Sequence, residues 1–337
     1  MVDLDLLVST PLHILLVNTA SGRISIVRAG DGYYFGITKK DNVAVLSHSG
    51  GYLQYFQKGA SPILTHNHLI QPHQIEWIED KVLVANTGKN CISVFDGKGA
   101  LCRDVYLNQI KSDNKEKNRL GNHFNSVHRI GDHIYVVAHN YERPSEVYKL
   151  SWPDLQVADV IVSKASWAHN IWSCEWGLVI CDTKSGSLYE LKSGEPIWQA
   201  NEDGALTRGL AASEDYIFVG YSTHNQRKER NWKTGGIWII DRKSLKTIDK
   251  LNMPGSGDVH EIRIIGVIDE GHNNQVFSKK DVSSLAQVSP LIASAYQLRR
   301  RFPMFQRDFP PISIPVRATQ MIARWRKQII QKRQILV

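Results

Sequence analysis

An all-β chain, folded as a six-bladed β-propeller with N-terminal strands closing the last blade and a mainly helical C-terminal extension, is what the sequence predicts. Short apolar strands recur after tight turns, and five of them open on the segments His73-Gln74-Ile75, Asn125-Ser126-Val127, His169-Asn170-Ile171, Arg208-Gly209-Leu210 and His260-Glu261-Ile262. The first four run about nine residues on into a second apolar strand, as in Val82-Leu83-Val84-Ala85-Asn86 and Ile217-Phe218-Val219-Gly220-Tyr221. Four short strands in roughly 40 to 50 residues is the size of a propeller blade.

The second unit shows the pattern best. Gln74 to Ile78, Val82 to Asn86, Cys91 to Phe95 and Leu101 to Leu107 read as strands, rich in Val, Ile and Phe and separated by turns holding Asp, Asn and Gly. The first blade spans about residues 31–65, and the next four open near His73, Asn125, His169 and Arg208. The sixth joins an inner strand, Val259 to Ile265, to outer strands drawn from Ile14 to Val27. Such a closure removes the exposed sheet edges that invite aggregation. Two regions follow: a propeller over 1–272 and an extension over 273–337. In the extension, Ser283 to Arg301 has helical spacing, a proline-punctuated arm follows from Phe302, and a basic amphipathic helix is expected from Arg317.

The Asn-Thr-Gly turn at Asn86-Thr87-Gly88, the Asp-Thr-Lys-Ser-Gly turn from Asp182 to Gly186, and the aligned His and Arg starts resemble six-bladed propellers of the strictosidine synthase, gluconolactonase and NHL-repeat kind. The chain is most similar to an uncharacterised bacterial propeller family with His-containing blade starts and an Arg-Gly-Leu segment, here His73, His123, His169 and Arg208-Gly209-Leu210. The resemblance covers the ring and implies its fold. The gluconolactonase pattern sets carboxylates and Asn around calcium, whereas here the axis carries His and Arg.

Composition sets outer limits. With 337 residues, 42% of them hydrophobic, the chain can bury a large core, and no apolar run approaches the roughly 20 residues needed to span a bilayer. The start lacks a basic signal-peptide region, and Cys91, Cys102, Cys174 and Cys181 show no Cys-x-x-Cys spacing. They read as buried thiols of a cytoplasmic protein, one that is peripheral to a membrane if its tail attaches there. The formal charge of +8 is local: ten Lys or Arg against one acidic residue lie from Arg299 onward, so the other 31 basic and 32 acidic residues nearly cancel. No specific nucleic acid is therefore expected, while the alternative to a small-ligand pocket is a non-catalytic protein-interaction propeller attached to a protein partner or membrane surface through residues 302–337.

The first strand of each blade lines the channel, so the aligned residues should form a ring at its mouth: His73, Asn125, His169, Arg208 and His260, with Tyr34 from the first blade. Three readings stay open for this ring. It is a hydrated structural plug; or a pocket in which Arg208, Asn125, Tyr34 and His123 bind a small anionic substrate and His73, His169 and His260 are catalytic acid/base groups; or a site in which those three imidazoles hold a divalent zinc, iron or copper ion. Long connections at Asn108 to Asn122, His139 to Ser145 and Thr223 to Gly236 should all rise around the same mouth.

Overall fold

The computed structural model describes residues 2–30, 32–113, 120–223 and 230–288. In chain order the strands are β1 Asp5–Ser9, β2 His13–Asn18 and β3 Ile24–Ala29. Then come β4 Tyr34–Lys40, β5 Val43–His48, β6 Tyr52–Gln57 and β7 Ile63–Leu64. The second blade holds β8 Pro72–Ile78, β9 Lys81–Asn86, β10 Cys91–Asp96 and β11 Leu101–Val105, and the third β12 Phe124–Ile130, β13 His133–Ala138, β14 Glu146–Ser151 and β15 Val157–Val162. The fourth holds β16 His169–Cys174, β17 Gly177–Asp182, β18 Ser187–Glu190 and β19 Glu195–Gln199, and the fifth β20 Ala205–Ala212, β21 Tyr216–Thr223, β22 Gly235–Asp241 and β23 Lys246–Met253. The chain returns through β24 Glu261–Ile265, a helix α1 Lys279–Leu285 and β25 Gln287–Val288.

Each of blades one to five is an antiparallel meander in chain order, and the sixth has the order β24-β1-β2-β3-β25. The ring is thus closed by β1, paired with β24 from Asp5 opposite Ile265 to Ser9 opposite Glu261. This corrects the expected closure in one respect: the N-terminal segment supplies three strands, not only the outer pair. The run Leu6-Leu7-Val8 alternates between two cores, Leu6 and Val8 packing against the fifth blade and Leu7 against the first. A strand buried on both faces shows a continuous apolar run instead of a polar alternation, so its period is hard to read.

Six buried apolar clusters occupy the six blade interfaces, one each, which makes the core itself circular. Trp172, Trp198 and Trp238 share the cluster between blades four and five, as expected for inter-blade packing. Trp167 departs from that pattern and stacks on His139, with ring centroids 5.9 Å apart. Of the cysteines, Cys91 and Cys181 are buried, whereas Cys102 is exposed on an outer strand, contrary to expectation.

Beyond 272 the chain stays on the propeller as far as it is described. Ser278 caps α1 with a complete capping box to Asp281, and Phe277, Val282 and Leu285 enter the core between blades six and one. Gln287-Val288 then pairs in parallel with β3. Helical spacing predicted a helix from Ser283, but the observed helix ends at Leu285 because Gln287 and Val288 satisfy their backbone groups on the blade edge. The expected continuation to Arg301, the proline arm and the helix from Arg317 lie outside the described residues. Among those described, no helix is long and apolar enough to cross a membrane.

Truncating the fully buried Phe277 in a Phe277→Ala variant should cost about 3–5 kcal/mol of unfolding free energy in a denaturant titration. A loss below about 1 kcal/mol would mean that the segment after β24 is not part of the core.

Candidate functional site at the axial mouth

In five of the six blades the inner strand carries one extra residue near its start. The register slips between Tyr34 and Ile37, Pro72 and Ile75, Phe124 and Ser126, His169 and Ile171, and Thr207 and Leu210. A bulge of this kind unpairs one residue and re-aims its side chain. Here it turns two consecutive positions of each strand toward the axis, a tier at the mouth and a second tier below it.

The second tier satisfies the backbone that the bulges leave open. Gln74 Oε1 accepts from the amide of Val127 (3.3 Å), Ser126 Oγ from Asn170 (2.8 Å), and Asn170 Oδ1 from Gly209 (2.9 Å), each reaching into the following blade. Gly36 closes the series: its N–H donates to Ser47 Oγ (2.8 Å), which in turn donates to the carbonyl of His73 (2.8 Å). The blades are so close here that a Cβ on Gly36 would stand 2.6 Å from the backbone nitrogen of Ile75.

The upper tier holds the predicted residues, with one substitution. A small, partly open pocket is lined by Asn125, His169, Arg208 and His260 together with Phe35 and Glu261. His73 adjoins it, its ring stacked on Phe35 at 5.2 Å, and Phe35 also stacks on His260 at 4.8 Å. Tyr34 is not at the mouth. Its side chain is fully buried between blades six and one, because the bulge puts Phe35 where the alignment expected Tyr34. Asn125 donates to the carbonyl of Ala168 (2.7 Å) and so ties blade three to blade four.

The three ring imidazoles share one tautomer. His73 Nδ1 lies 3.0 Å from the carbonyl of Gln71 and His169 Nδ1 lies 2.8 Å from that of Trp167, while His260 Nδ1 lies 2.7 Å from that of Tyr34. A carbonyl only accepts, so Nδ1 carries the hydrogen in each ring. The threonines of the two recognised turns reinforce this. Thr87 and Thr183 each sit 2.8 Å from an Nδ1 and give their own hydroxyl hydrogen to the next blade, at Phe124 and Thr207. What remains on each ring is a bare Nε2 lone pair. Burial, and secondarily the charge of Arg208, holds all three imidazoles well below the ordinary pKa of 6.5. They are neutral at physiological pH, weak as bases and competent as hydrogen-bond acceptors.

Arg208 is the cation of this pocket. Burial lowers its guanidinium to about 10, still charged at neutral pH, and among the described residues it makes no hydrogen bond or ion pair. Asp258 and Glu261 act on it only through space. Both carboxyls are raised, Asp258 to about 6 and Glu261 to about 8, with burial the largest cause in each.

His123, which precedes the third blade's bulge, belongs to a neighbouring cluster. Its Nδ1 lies 2.9 Å from Asp113 Oδ2 and 2.9 Å from Tyr141 Oη, and Tyr141 donates to the same carboxylate oxygen at 2.5 Å. The connections after Asn108 and after His139 therefore do meet at the mouth. The ring of His123 makes edge contacts with His73 and His139, extending the aromatic arc from His260 round to His169. Gln71, His123, Asn140, Tyr141, Trp167 and Asn170 all have φ between +49° and +59°, a costly conformation for side-chain-bearing residues that gathers around binding and catalytic centres.

The expected metal set does not fit this geometry. Phe35 stacks on both His73 and His260, and among the described residues no group of three or more His, Cys, Asp or Glu is arranged to hold a metal ion. Sequence reasoning missed Phe35, Asp113, Tyr141, Asp258 and the pocket-facing position of Glu261. The polar residues at the second position of the aligned segments, Gln74, Ser126 and Asn170, were a signal for the lower tier. Nothing in the spacing marked Asp113 or Asp258, which arrive from loops.

No protein-family model matches the chain, and no curated protein matches it. Solved structures do. One chain of a nidogen/laminin complex aligns at a TM-score of 0.57 and 11% identity, covering 77% of this chain and 97% of that one. A protein of unknown function from Bacteroides caccae aligns at 0.56 and 12%, covering 78% and 99%. A protein from Lactobacillus plantarum aligns at 0.53 and 12%, covering 78% and 99%. At these identities the likeness establishes the propeller fold alone.

Replacing Gly36 by Ala should lower stability by more than 2 kcal/mol, since the added carbon meets backbone rather than a side chain that can swing away. Thermal or urea denaturation measures it; a change within about 0.5 kcal/mol would show that blades one and two are not in such close contact.

Proposed function

We propose that the axial mouth binds the anionic end of a small organic molecule. One observation carries this reading: a half-buried guanidinium, Arg208, faces the pocket without a hydrogen-bonding partner among the described residues. Five N–H donors in a planar fork suit a carboxylate or phosphate, and burial strengthens the pairing. The neutral Nε2 atoms of His169 and His260 then accept hydrogen bonds from N–H or O–H groups of the same ligand. Phe35 offers an apolar face beside them.

The pocket's size limits what enters. The enclosed space, about 10 Å³, holds little more than one water-sized group and is far below the usual 300–1,000 Å³ of a small-molecule site, so only the charged end of a ligand whose remainder stays outside the mouth fits. Proton transfer by His73, His169 or His260 is disfavoured by their low basicity, which makes binding the better-supported role for these three. Attachment to a partner or membrane surface through residues 302–337 is a separate proposal that rests on the positive charge of the tail.

A calorimetric screen of small carboxylates and phosphates against the protein and its Arg208→Gln variant tests the proposal. Binding should weaken at least tenfold in the variant, whose amide lacks the charge and the fork. Asp258 sets the pH dependence. Its carboxylate, ionised above about 6, repels an incoming anion, so affinity should rise as pH falls from 7.5 to 5.5, provided the ligand stays ionised. Binders whose affinity is the same in wild type and Arg208→Gln would refute the assignment, as would a screen in which no anion binds.

A further inference from the structure

Below the two tiers the channel is filled by a polar cluster that ligand binding at the mouth does not require. Glu261 and Arg263 of β24, Glu76 of β8 and His128 of β12 meet Asp269 and His272 from the segment that follows β24, and all six are buried. That segment, Asp269–Gln275, closes the channel at the end away from the mouth. Asp269 Oδ1 accepts from the amide of Ala212 (3.2 Å), at the far end of β20, four residues and about 13 Å of strand below Arg208. Asn273 Nδ2 donates to Glu76 Oε1 (2.6 Å) and Gln275 Nε2 to Thr38 Oγ1 (3.1 Å).

His272 is the centre of this plug. Its Nε2 lies 2.8 Å from Glu261 Oε1 and its Nδ1 lies 3.0 Å from Asp269 Oδ2. A ring nitrogen without hydrogen cannot face a carboxylate oxygen at such distances without repulsion, so the two contacts need two hydrogens. Either an imidazolium lies between two carboxylates, or a neutral ring lies beside one protonated carboxyl. In both cases the closed triad holds one proton more than the same three groups hold in water near pH 8.

We infer that Asp269–Gln275 is a proton-keyed plug, held in the channel by the hydrogen shared among Glu261, His272 and Asp269 and released as that hydrogen is lost. Its bonds to the blades are polar, whereas the chain on its far side is anchored by Phe277, Val282 and Leu285. The segment can therefore open while its continuation stays packed. Gly266 at φ +84° and the exposed Ile268 before it, and the exposed Val276 after it, supply the hinges. Because Glu261 also lines the mouth pocket, opening joins that pocket to the opposite face.

The sign follows from the proton count. Burial raises Glu261 from 4.5 to about 8 and Asp269 from 3.8 to about 7, with Glu76 and Asp269 adding to the rise at Glu261 and Arg263 and Arg208 opposing it. Cys181 and His128 are the other titratable groups near the triad, and burial keeps the Cys181 thiol protonated through this range. Opening releases a proton wherever the closed state holds the extra one, so it becomes more favourable as pH rises toward about 8.

Hydrogen exchange of the full chain tests this without any ligand, and so stands apart from the anion proposal. The Asp269, His272 and Gln275 amides all bond within the segment. Their protection factors, corrected for intrinsic chemistry, should fall by up to roughly tenfold per pH unit between pH 6.5 and 8. Core amides of Val8 and Val136, which lie in doubly paired strands, should hold steady. Glu261→Gln and Asp269→Asn keep an accepting oxygen but have no charge to gain, so each should flatten the slope. Equal slopes in wild type and variants overturn the inference, as does a wild-type profile that tracks Val8 and Val136, a comparison that needs neither variant to fold.

Discussion

One extra residue at the start of the inner strands is the constraint on which the rest of the site depends. Regular pleating would send alternate side chains of each inner strand into the blade interfaces. The bulges at Phe35-Gly36, His73-Gln74, Asn125, Asn170 and Arg208-Gly209 instead send neighbouring residues to the axis. Each leaves backbone groups unpaired, and side chains of adjoining blades take up several of them. The ring residues and the blade-to-blade ties are therefore two results of one distortion, and the mouth is rigid because the blades are stitched together where it forms.

The electrostatics follow from that rigidity. Backbone carbonyls at Gln71, Trp167 and Tyr34 fix the Nδ1–H tautomer, and burial keeps the rings neutral, so the pocket sets several acceptors beside the Arg208 guanidinium. These terms weigh against two alternatives. A metal would need converging Nε2 atoms, and Phe35 stands against two of the rings instead. General-base catalysis would need basic imidazoles, and burial has removed that basicity. An anion with attached hydrogen-bond donors asks only for what is present.

Much of the ring was legible because it repeats. The aligned His, Asn and Arg starts sit where a core strand has no use for polarity, and five of those six positions converge as the blade period requires. The sixth failed at Tyr34 because a one-residue slip within a bulge cannot be counted from composition. β1 was missed for a different reason: Leu6-Leu7-Val8 faces two cores and shows no alternation. Asp113, Asp258 and the plug residues Asp269 and His272 reach the channel from segments outside the repeat, where spacing carries no information about distance.

The neutral Nδ1–H imidazoles are the central claim, and nitrogen-15 NMR of the histidine rings measures them directly. At pH 6, His73, His169 and His260 should each show a protonated Nδ1 and an unprotonated Nε2 with no sign of the imidazolium. Rings that are charged at that pH, or protonated on Nε2, would contradict the account of the mouth as a set of acceptors grouped around Arg208.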